Sequence, residues 1–140
     1  MRMAKKIIII IVVLLLLLGA AVGAYFLIRA NKEKGLAIIY YSPGDAFVTN
    51  IYGTDYLVKL NVNLAIRLVN QEKMAEINNV VRDTILRTMR SQPQEMFETA
   101  ETLQEMADLI QKNVNTLFPK ESADEEDVVL RVYFTEFVTQ

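Results

Sequence analysis

The residues that carry most enzyme chemistry are missing from this chain. Its 140 residues include no histidine and no cysteine, which excludes histidine general bases, cysteine nucleophiles and zinc or copper sites that use either ligand. The three serines, Ser42, Ser91 and Ser122, lie in turn or linker sequences without a Ser-x-x-Lys arrangement. The five glycines form neither a GxGxxG motif nor a P-loop. We therefore predict no catalytic residue, no cofactor and no small-molecule substrate.

Carboxylates are the remaining candidates for chemistry. Spaced pairs occur at Glu72 with Glu76, and at Glu101 with Glu105 and Asp108. These pairs face away from the apolar stripes of the predicted helices, so a solvated surface is the favoured interpretation. The densest acidic run, residues 121–127, lacks the glycine and ligand spacing of an EF-hand loop. We predict a solvated linker or a patch for a basic partner there, with no metal site, and a specific cation site as the less favoured alternative.

Charge is divided unevenly along the chain. Residues 1–34 carry six basic residues and one acidic residue, whereas residues 35–140 carry nine basic and sixteen acidic residues. An acidic domain repels a phosphate backbone, and basic residues interleaved with aromatics are absent, so we predict no nucleic-acid partner. The basic N-terminal end suits anionic lipid and membrane topology instead.

A long apolar segment follows the first basic residues. The 22 residues from Ile7 to Ile28 contain no charged side chain, and as a helix they would cover about 33 Å, against about 30 Å of hydrocarbon. We predict a leader at 1–6, one transmembrane helix at 7–28 and a cytoplasmic N-terminus. Three basic residues flank each end of the span, so their count does not decide the orientation; the added α-amino charge of the leader favours it, and long domains can cross a membrane largely regardless of charge. A signal peptide cleaved after Val22-Gly23-Ala24 is the alternative. The apolar run continues past that point to Ile28, which favours retention.

Small residues lie close together within the predicted span. Gly19 and Gly23 form a GxxxG motif, with Ala20 and Ala24 beside them on nearly the same helical face. Small side chains let two helix backbones approach closely in lipid. These four residues are our candidates for packing between transmembrane helices.

The remaining sequence predicts strands, then helices, then a strand. Residues 29–46 are predicted as a membrane-proximal linker or stem, with Asn31–Gly35 polar and Leu36–Tyr41 open to interpretation as a strand or more stem. Phe47–Tyr52 predicts a short strand. From Tyr56 to Leu68, apolar residues occupy every second position, which indicates a strand with one buried face. The closing strand is predicted at Val128–Val138.

Two amphipathic helices separate the long strand from the closing one. Asn70 is a candidate cap for the first, whose apolar stripe is Met74, Ile77, Val81, Ile85 and Met89. Thr99 is a candidate cap for the second, whose stripe is Leu103, Met106, Ile110, Val114 and Leu117. Because the last strand must return to the sheet, residues 47–140 are predicted to form one α+β domain, with an antiparallel-type sheet and both helices on one face.

Several of these segments also resemble a known family. They are Phe47-Val48-Thr49-Asn50, Tyr56-Leu57-Val58-Lys59-Leu60, Arg82-Asp83 before Ile85-Leu86, and Val132-Tyr133-Phe134-Thr135-Glu136-Phe137-Val138. With the order of leader, span and exterior domain, they make the chain similar to the flagellar basal-body-associated FliL family. Thr102 departs from the pattern, since many members have glycine after the residue equivalent to Glu101. That departure is expected to affect the first turn of the second helix.

The resemblance implies a single-pass protein of the bacterial inner membrane with a periplasmic domain similar to stomatin and prohibitin domains. It further implies a non-enzymatic homo-oligomer, a ring around the flagellar stator proteins that supports their engagement and torque. Alternatives are a stomatin-like scaffold unrelated to motility, and a ligand sensor or carboxylate-based enzyme of the cell envelope.

Contacts with partners are predicted at two strands, because sheet edges can pair with a neighbouring subunit. The candidates are Phe47, Val48, Thr49 and Asn50 in the first strand, and Tyr133, Thr135 and Phe137 in the last. Burial in the core or pairing within the chain is the alternative for each of them.

Overall fold

The computed structural model describes residues 2–140, with side chains from residue 6 onward. It separates into two units, an N-terminal one that ends at Ala37 and a C-terminal one from Ile38 to Gln140. The N-terminal unit is a helix, α1 (Arg2–Gly35). The C-terminal unit contains the sheet and the remaining helices.

Helix α1 is long and apolar enough to cross a membrane from Lys6 to Gly35. Its aliphatic side chains between Ile7 and Ile28 are all exposed, as expected of a surface that lipid would cover. The polar segment Asn31–Gly35, predicted as a linker, continues as helix. An ion pair of 3.1 Å between Arg29 and Glu33, four residues apart, supports these last turns.

The C-terminal unit has the predicted order of strands, helices and strand. Its elements are β1 (Ile38–Tyr41), β2 (Phe47–Asn50), β3 (Leu57–Arg67), α2 (Gln71–Glu76), α3 (Asn78–Arg90), α4 (Ala100–Asn115) and β4 (Val129–Thr139). Short 3-10 turns cover Leu68–Asn70 and Gln94–Phe97. The predicted α+β class is confirmed. Of the two interpretations of Leu36–Tyr41, the strand is the one observed, since residues 38–41 form β1.

The sheet is antiparallel and is built around β3. Strand β4 pairs with β3 along residues 58–66. Strands β1 and β2 pair with β3 at residues 64–67 and 57–60. Since a strand has two edges and β4 occupies one, β1 and β2 share the other and lie end to end. The loop of residues 42–46 interrupts this second edge, with Gly44 at a φ of 122°.

One face of the sheet forms the core. The alternating residues of β3 from Val58 to Ile66 are at most 2 % exposed, whereas Tyr56 and Leu68, the ends of the predicted stripe, are 56 % and 39 % exposed. Both helix stripes face the same side. Fully buried members are Met74, Val81, Ile85 and Met89 of the first stripe, and Met106, Ile110 and Val114 of the second. The prediction of helices on one face is confirmed.

The first predicted helix is broken in two at Ile77, where φ is −107° and ψ is 21°. Asn78, the first residue of α3, accepts a hydrogen bond of 2.9 Å from the Tyr41 hydroxyl and donates one of 3.1 Å to the Pro43 carbonyl oxygen. These contacts hold the first residue of α3 against the end of β1 and the loop after it, and the helix breaks just before this residue. Asn70 occupies the position before α2, but its side chain forms no capping hydrogen bond.

The cap predicted for the last helix is confirmed. The Thr99 hydroxyl accepts a hydrogen bond of 3.1 Å from the Thr102 amide, and the Thr99 amide donates one of 3.2 Å to the Thr102 hydroxyl. This is a capping box in which threonine replaces the usual Glu or Gln. The departure at Thr102 therefore acts in the first turn, as expected.

The core predicts a clear stability difference between two positions on α3. Ile85→Ala removes a fully buried side chain and should lower the free energy of unfolding by about 2–5 kcal/mol. Val80→Ala, at a side chain that is 49 % exposed, should change it by less than about 0.5 kcal/mol. Urea unfolding of the detergent-solubilised chain, followed by tyrosine fluorescence, measures both. Equal effects would contradict the placement of Ile85 in the core.

Candidate functional site

The predicted contact residues of β2 are divided between core and surface. Phe47 and Thr49 are buried at 2 % and 5 % exposure, whereas Val48 and Asn50 are exposed. Successive side chains of a strand point to opposite faces, so one four-residue motif contributes to both. In β4, Tyr133 and Thr135 are exposed and Phe137 is partly buried. The surface therefore offers Val48, Asn50, Tyr133 and Thr135 to a partner.

Helix α3 holds the interrupted edge of the sheet in place. The Arg82 guanidinium donates hydrogen bonds of 3.1 Å from Nη1 to the carbonyl oxygens of Pro43 and Asp45. Its Cζ lies 4.6 Å from the centroid of the Phe47 ring. A Cβ at Gly44 would lie 2.9 Å from Arg82 Nη1, so this glycine permits the close approach. Arg82 thereby fixes the loop that joins β1 to β2.

The last residue of the same helix, Arg90, reaches β2. Arg90 Nε donates a hydrogen bond of 3.0 Å to the buried Thr49 hydroxyl. Asn78, Arg82 and Arg90 lie on one flank of α3, because they follow a spacing of four and eight residues. This spacing is visible in the sequence, but it places the three residues on a helix without indicating what they contact. The partners lie 35 to 41 residues away along the chain, and the helical pattern does not identify them.

Helix α4 supplies hydrogen-bonding partners for the backbone at the start of β4, the strand on the other side of the sheet. Gln111 donates a hydrogen bond of 2.9 Å to the Leu130 carbonyl oxygen. The Asn115 amide group exchanges two hydrogen bonds of 2.9 Å with the backbone of Val129. On the opposite flank of α4, Asn113 donates a 3.0 Å hydrogen bond to the Thr88 hydroxyl of α3. The two helices thus lie side by side, α3 beneath β2 and α4 beneath β4.

The outer face of the sheet is polar in its middle and aromatic at one end. Glu136 accepts hydrogen bonds of 3.3 Å from Lys59 and 2.6 Å from Asn61. The rings of Tyr40 and Tyr133 pack edge to face at 5.7 Å between centroids. In the described C-terminal unit, the stripes of α3 and α4 pack on the other face of the sheet. The face is therefore open to a partner.

The charged connector before β4 is tied to the sheet by one ion pair. Arg67 donates two hydrogen bonds of 3.1 Å to the carboxylate of Glu126. These bonds lower the pKa of Glu126 below its usual range and raise that of Arg67. Residues 121–126 of the acidic run are exposed, whereas Asp127 is half-buried and forms an ion pair of 2.9 Å with Lys120. Within the described residues no three acidic side chains come close enough to hold a metal ion.

The surface depressions resemble contact surfaces more than enzyme pockets. Two open ones, of about 610 and 430 Å³, flank β2. A third, of about 320 Å³, is lined in part by Phe97, Phe137 and Thr139 at the end of the sheet. Among the residues described, the buried polar side chains are those of Thr49 and Thr88. Neither could act as a general acid or base at neutral pH.

The transmembrane packing candidates lie on an open helix surface. Gly19, Ala20, Gly23 and Ala24 are all exposed in α1, and a Cβ added at either glycine would meet no atom within 4 Å. A second helix could therefore approach this surface closely. The role of these four residues in packing between helices stays a prediction.

The Arg82 contacts predict a local and a global effect. Arg82→Met removes both hydrogen bonds to the loop and should lower the free energy of unfolding by about 2 kcal/mol. It should also speed amide hydrogen exchange in the edge strand β2. Arg87→Met is the matched control, because that side chain is 78 % exposed in its ion pair with Asp83 and should change stability by less than about 0.5 kcal/mol. Similar exchange rates in the two variants would contradict the role of Arg82 in holding the loop and β2 in place.

The Arg67 contact predicts a pH effect of defined sign. Because the pKa of Glu126 is lowered in the folded chain, its contribution to stability is present above the unfolded pKa of about 4.3 and is lost as pH falls through the folded pKa. Arg67→Met should raise the pKa of Glu126 towards its ordinary value, as measured by the carboxyl carbon shift in NMR. Lys59→Met should leave it unchanged. An unaltered Glu126 titration in the Arg67 variant would refute the assignment.

Comparison with known proteins identifies the C-terminal unit. No curated protein sequence matches the chain. Residues 40–140 match the family model described as flagellar basal body-associated protein FliL. The match includes β2, the Arg82-Asp83 pair and the whole of β4, which are the segments that carry the resemblance seen in the sequence. Since it covers more than two thirds of the 140 residues, the chain belongs to the FliL family of flagellar basal body-associated proteins.

Proposed function

We propose that this protein is a non-enzymatic structural component of the bacterial flagellar motor, which oligomerises as a ring around stator units and supports their engagement and torque. The observation that carries the proposal is the family match over residues 40–140, which covers almost all of the α+β unit. The stator is the proposed partner of this ring. A membrane-anchored ring beside it would act by mechanical support.

The chemistry of the chain supports a mechanical role. The sequence supplies neither histidine nor cysteine, and the buried polar groups in the described part of the chain are threonine hydroxyls. A ligand sensor or carboxylate enzyme would need convergent buried carboxylates with perturbed pKa values. Glu126, the carboxylate with a shifted pKa in the described region, is an exposed partner of Arg67. No observation favours this rival or a scaffold unrelated to motility.

The proposed topology places the N-terminus in the cytoplasm and the α+β unit in the periplasm. Residues 1–6 form the basic leader, residues 7–28 of α1 cross the inner membrane and residues 29–46 lead from it. Gly19, Ala20, Gly23 and Ala24 are proposed to help α1 pack against another helix in the bilayer. An uncleaved anchor keeps every copy at the same membrane surface, which favours assembly of the attached domains.

Deletion of the gene tests the proposed role directly. We expect fewer engaged stators, counted with a fluorescent stator fusion, and lower torque on a large bead load. The effect should be largest under high load, where more stators are engaged. The wild-type chain should restore both quantities. The matched control is a chain carrying Val80→Ala, which alters an exposed side chain of α3 and should restore them equally well.

Two outcomes would contradict the proposal. One is unchanged stator number and torque in the deletion strain at high load. The other is a strict monomer by mass measurement in detergent, both alone and in the presence of the stator complex. Recovery of a lipid-free mature chain that begins at Tyr25 would refute the anchored topology.

A further inference from the structure

We propose that copies of this chain join head to tail through their sheets, with the free edge of β4 in one copy pairing with the β1–β2 edge of the next. The inference rests on the proposed assembly and names the surfaces that build it. Three observations carry it. They are the direction of unpaired backbone groups, the open space beside the edges, and the opposite charges of the two flanking helices.

The unpaired backbone groups follow from the hydrogen-bond pattern of the sheet. Gln140 exchanges hydrogen bonds of 2.9 and 2.8 Å with Leu57, and hydrogen-bonded pairs alternate along an antiparallel ladder. Thr139, opposite Val58, therefore directs its N–H and C=O away from β3. Phe137 does the same, being opposite Leu60. Within the described chain, neither residue has another backbone partner.

The opposite edge has the same property. Ile51 donates a hydrogen bond of 2.9 Å to the Tyr56 carbonyl oxygen, so the pairs of Asn50 with Leu57 and Val48 with Lys59 are the non-hydrogen-bonded ones. Val48 and Asn50 thus direct their N–H groups outward. Exposed strand edges of this kind are templates for pairing with another chain.

Space beside both edges would admit an added strand. The depressions of about 610 and 430 Å³ run along β2. The smaller cleft of about 320 Å³ lies beneath the end of the sheet, where Phe137 and Thr139 of β4 line it together with Ile51 and Tyr56. By contrast, the first residues of β4 are already covered, because Gln111 and Asn115 bind their backbone groups. The free part of that edge is therefore the segment from Val132 to Thr139.

The helices that flank the two edges carry opposite net charges, which favours pairing between different edges. Helix α3, beneath β2, carries three arginines against one aspartate. The segment from Gln94 through α4, beneath β4, carries five carboxylates against one lysine. All five carboxylates are exposed. They are Glu95, Glu98, Glu101, Glu105 and Asp108.

A second copy therefore fits these edges better in one arrangement than in the others. Pairing β4 with the β1–β2 edge brings an acidic flank against a basic one, whereas pairing β4 with β4 opposes two acidic flanks. An interface between two different surfaces leaves one edge free on each end of the assembly. Such a heterologous contact gives a ring where the rotation between copies closes, and an open filament where it does not; the ring of the proposed function corresponds to the closed case.

The absence of cysteine from the sequence makes disulfide mapping in the full membrane-embedded chain direct. Val138 and Val48 both lie opposite Lys59 on the exposed outer face, and paired strands bring Cα atoms within disulfide range. Mild oxidation of a chain carrying Val48→Cys and Val138→Cys should give a ladder of covalent dimers and higher species. Asn50→Cys with Val138→Cys tests the next register. A ladder from either pair supports the proposal.

Single-cysteine variants and an off-edge pair serve as controls. Val48→Cys alone and Val138→Cys alone should give no covalent dimer, since each meets a different residue in the neighbouring copy. Glu72→Cys with Asp124→Cys, both exposed and outside the two edges, should give no ladder. A strong dimer from Val138→Cys alone would overturn the head-to-tail arrangement in favour of β4 pairing with β4.

Proline substitution tests the backbone contact itself. Thr139→Pro removes an outward N–H without breaking a bond to β3, and it should abolish the ladder of the double-cysteine chain while circular dichroism stays unchanged. Ala100→Pro is the matched control at the first residue of α4, where proline is tolerated, and should leave the ladder intact. Loss of the ladder at high salt would support the charge argument.

The inference and the proposed function fail in different ways. If the chain has the mass of a multimer but neither cysteine pair forms a ladder, the edge contact is overturned and the proposed function stands. If the chain is monomeric with the stator complex present and its deletion leaves torque unchanged, the proposed function fails.

Discussion

The structure depends on a single strand having hydrogen-bonding partners on both edges and a buried face along almost its whole length. Among the described residues, β3 is the strand to which β1, β2 and β4 all pair. Its alternating side chains from Val58 to Ile66 form the floor on which α3 and α4 pack. Strand β3 is long enough to pair with two short strands along the same edge, so β2 pairs with its first half and β1 with its second half. The division then requires a loop in the middle of that edge.

That loop explains why the helices carry polar residues directed at the sheet. An interrupted edge leaves carbonyl groups without strand partners, and Asn78 and Arg82 of α3 satisfy those of Pro43 and Asp45. Gln111 and Asn115 of α4 do the same for the start of β4. Buried or half-buried backbone groups need such partners. In the described unit, Val48, Asn50, Phe137 and Thr139 direct backbone groups away from β3, and the proposed contact between copies would satisfy these groups.

The absence of histidine and cysteine from the sequence and the exposed strand edges both agree with the contact between copies proposed above. A chain that binds through its backbone and through broad charge differences needs few special side chains. The interaction surfaces can then coincide with elements that also hold the fold together, as in β2, where Phe47 fills the core and Val48 faces outward. One sequence motif can therefore contain both core residues and surface residues, and the sequence pattern alone does not separate them.

Local patterns determined a large part of this protein. The apolar run determined α1, the period of two determined β3, and the spacing of Thr99 and Thr102 before an apolar stripe permitted the cap of α4. These features depend on neighbours a few residues apart, which the sequence states directly. Tertiary contacts decided the rest. The break at Ile77, the pairing of Ile38–Tyr41 and the Arg82 contacts join residues more than twenty positions apart, and which distant groups meet depends on how the strands and helices pack together, a result that no local spacing contains.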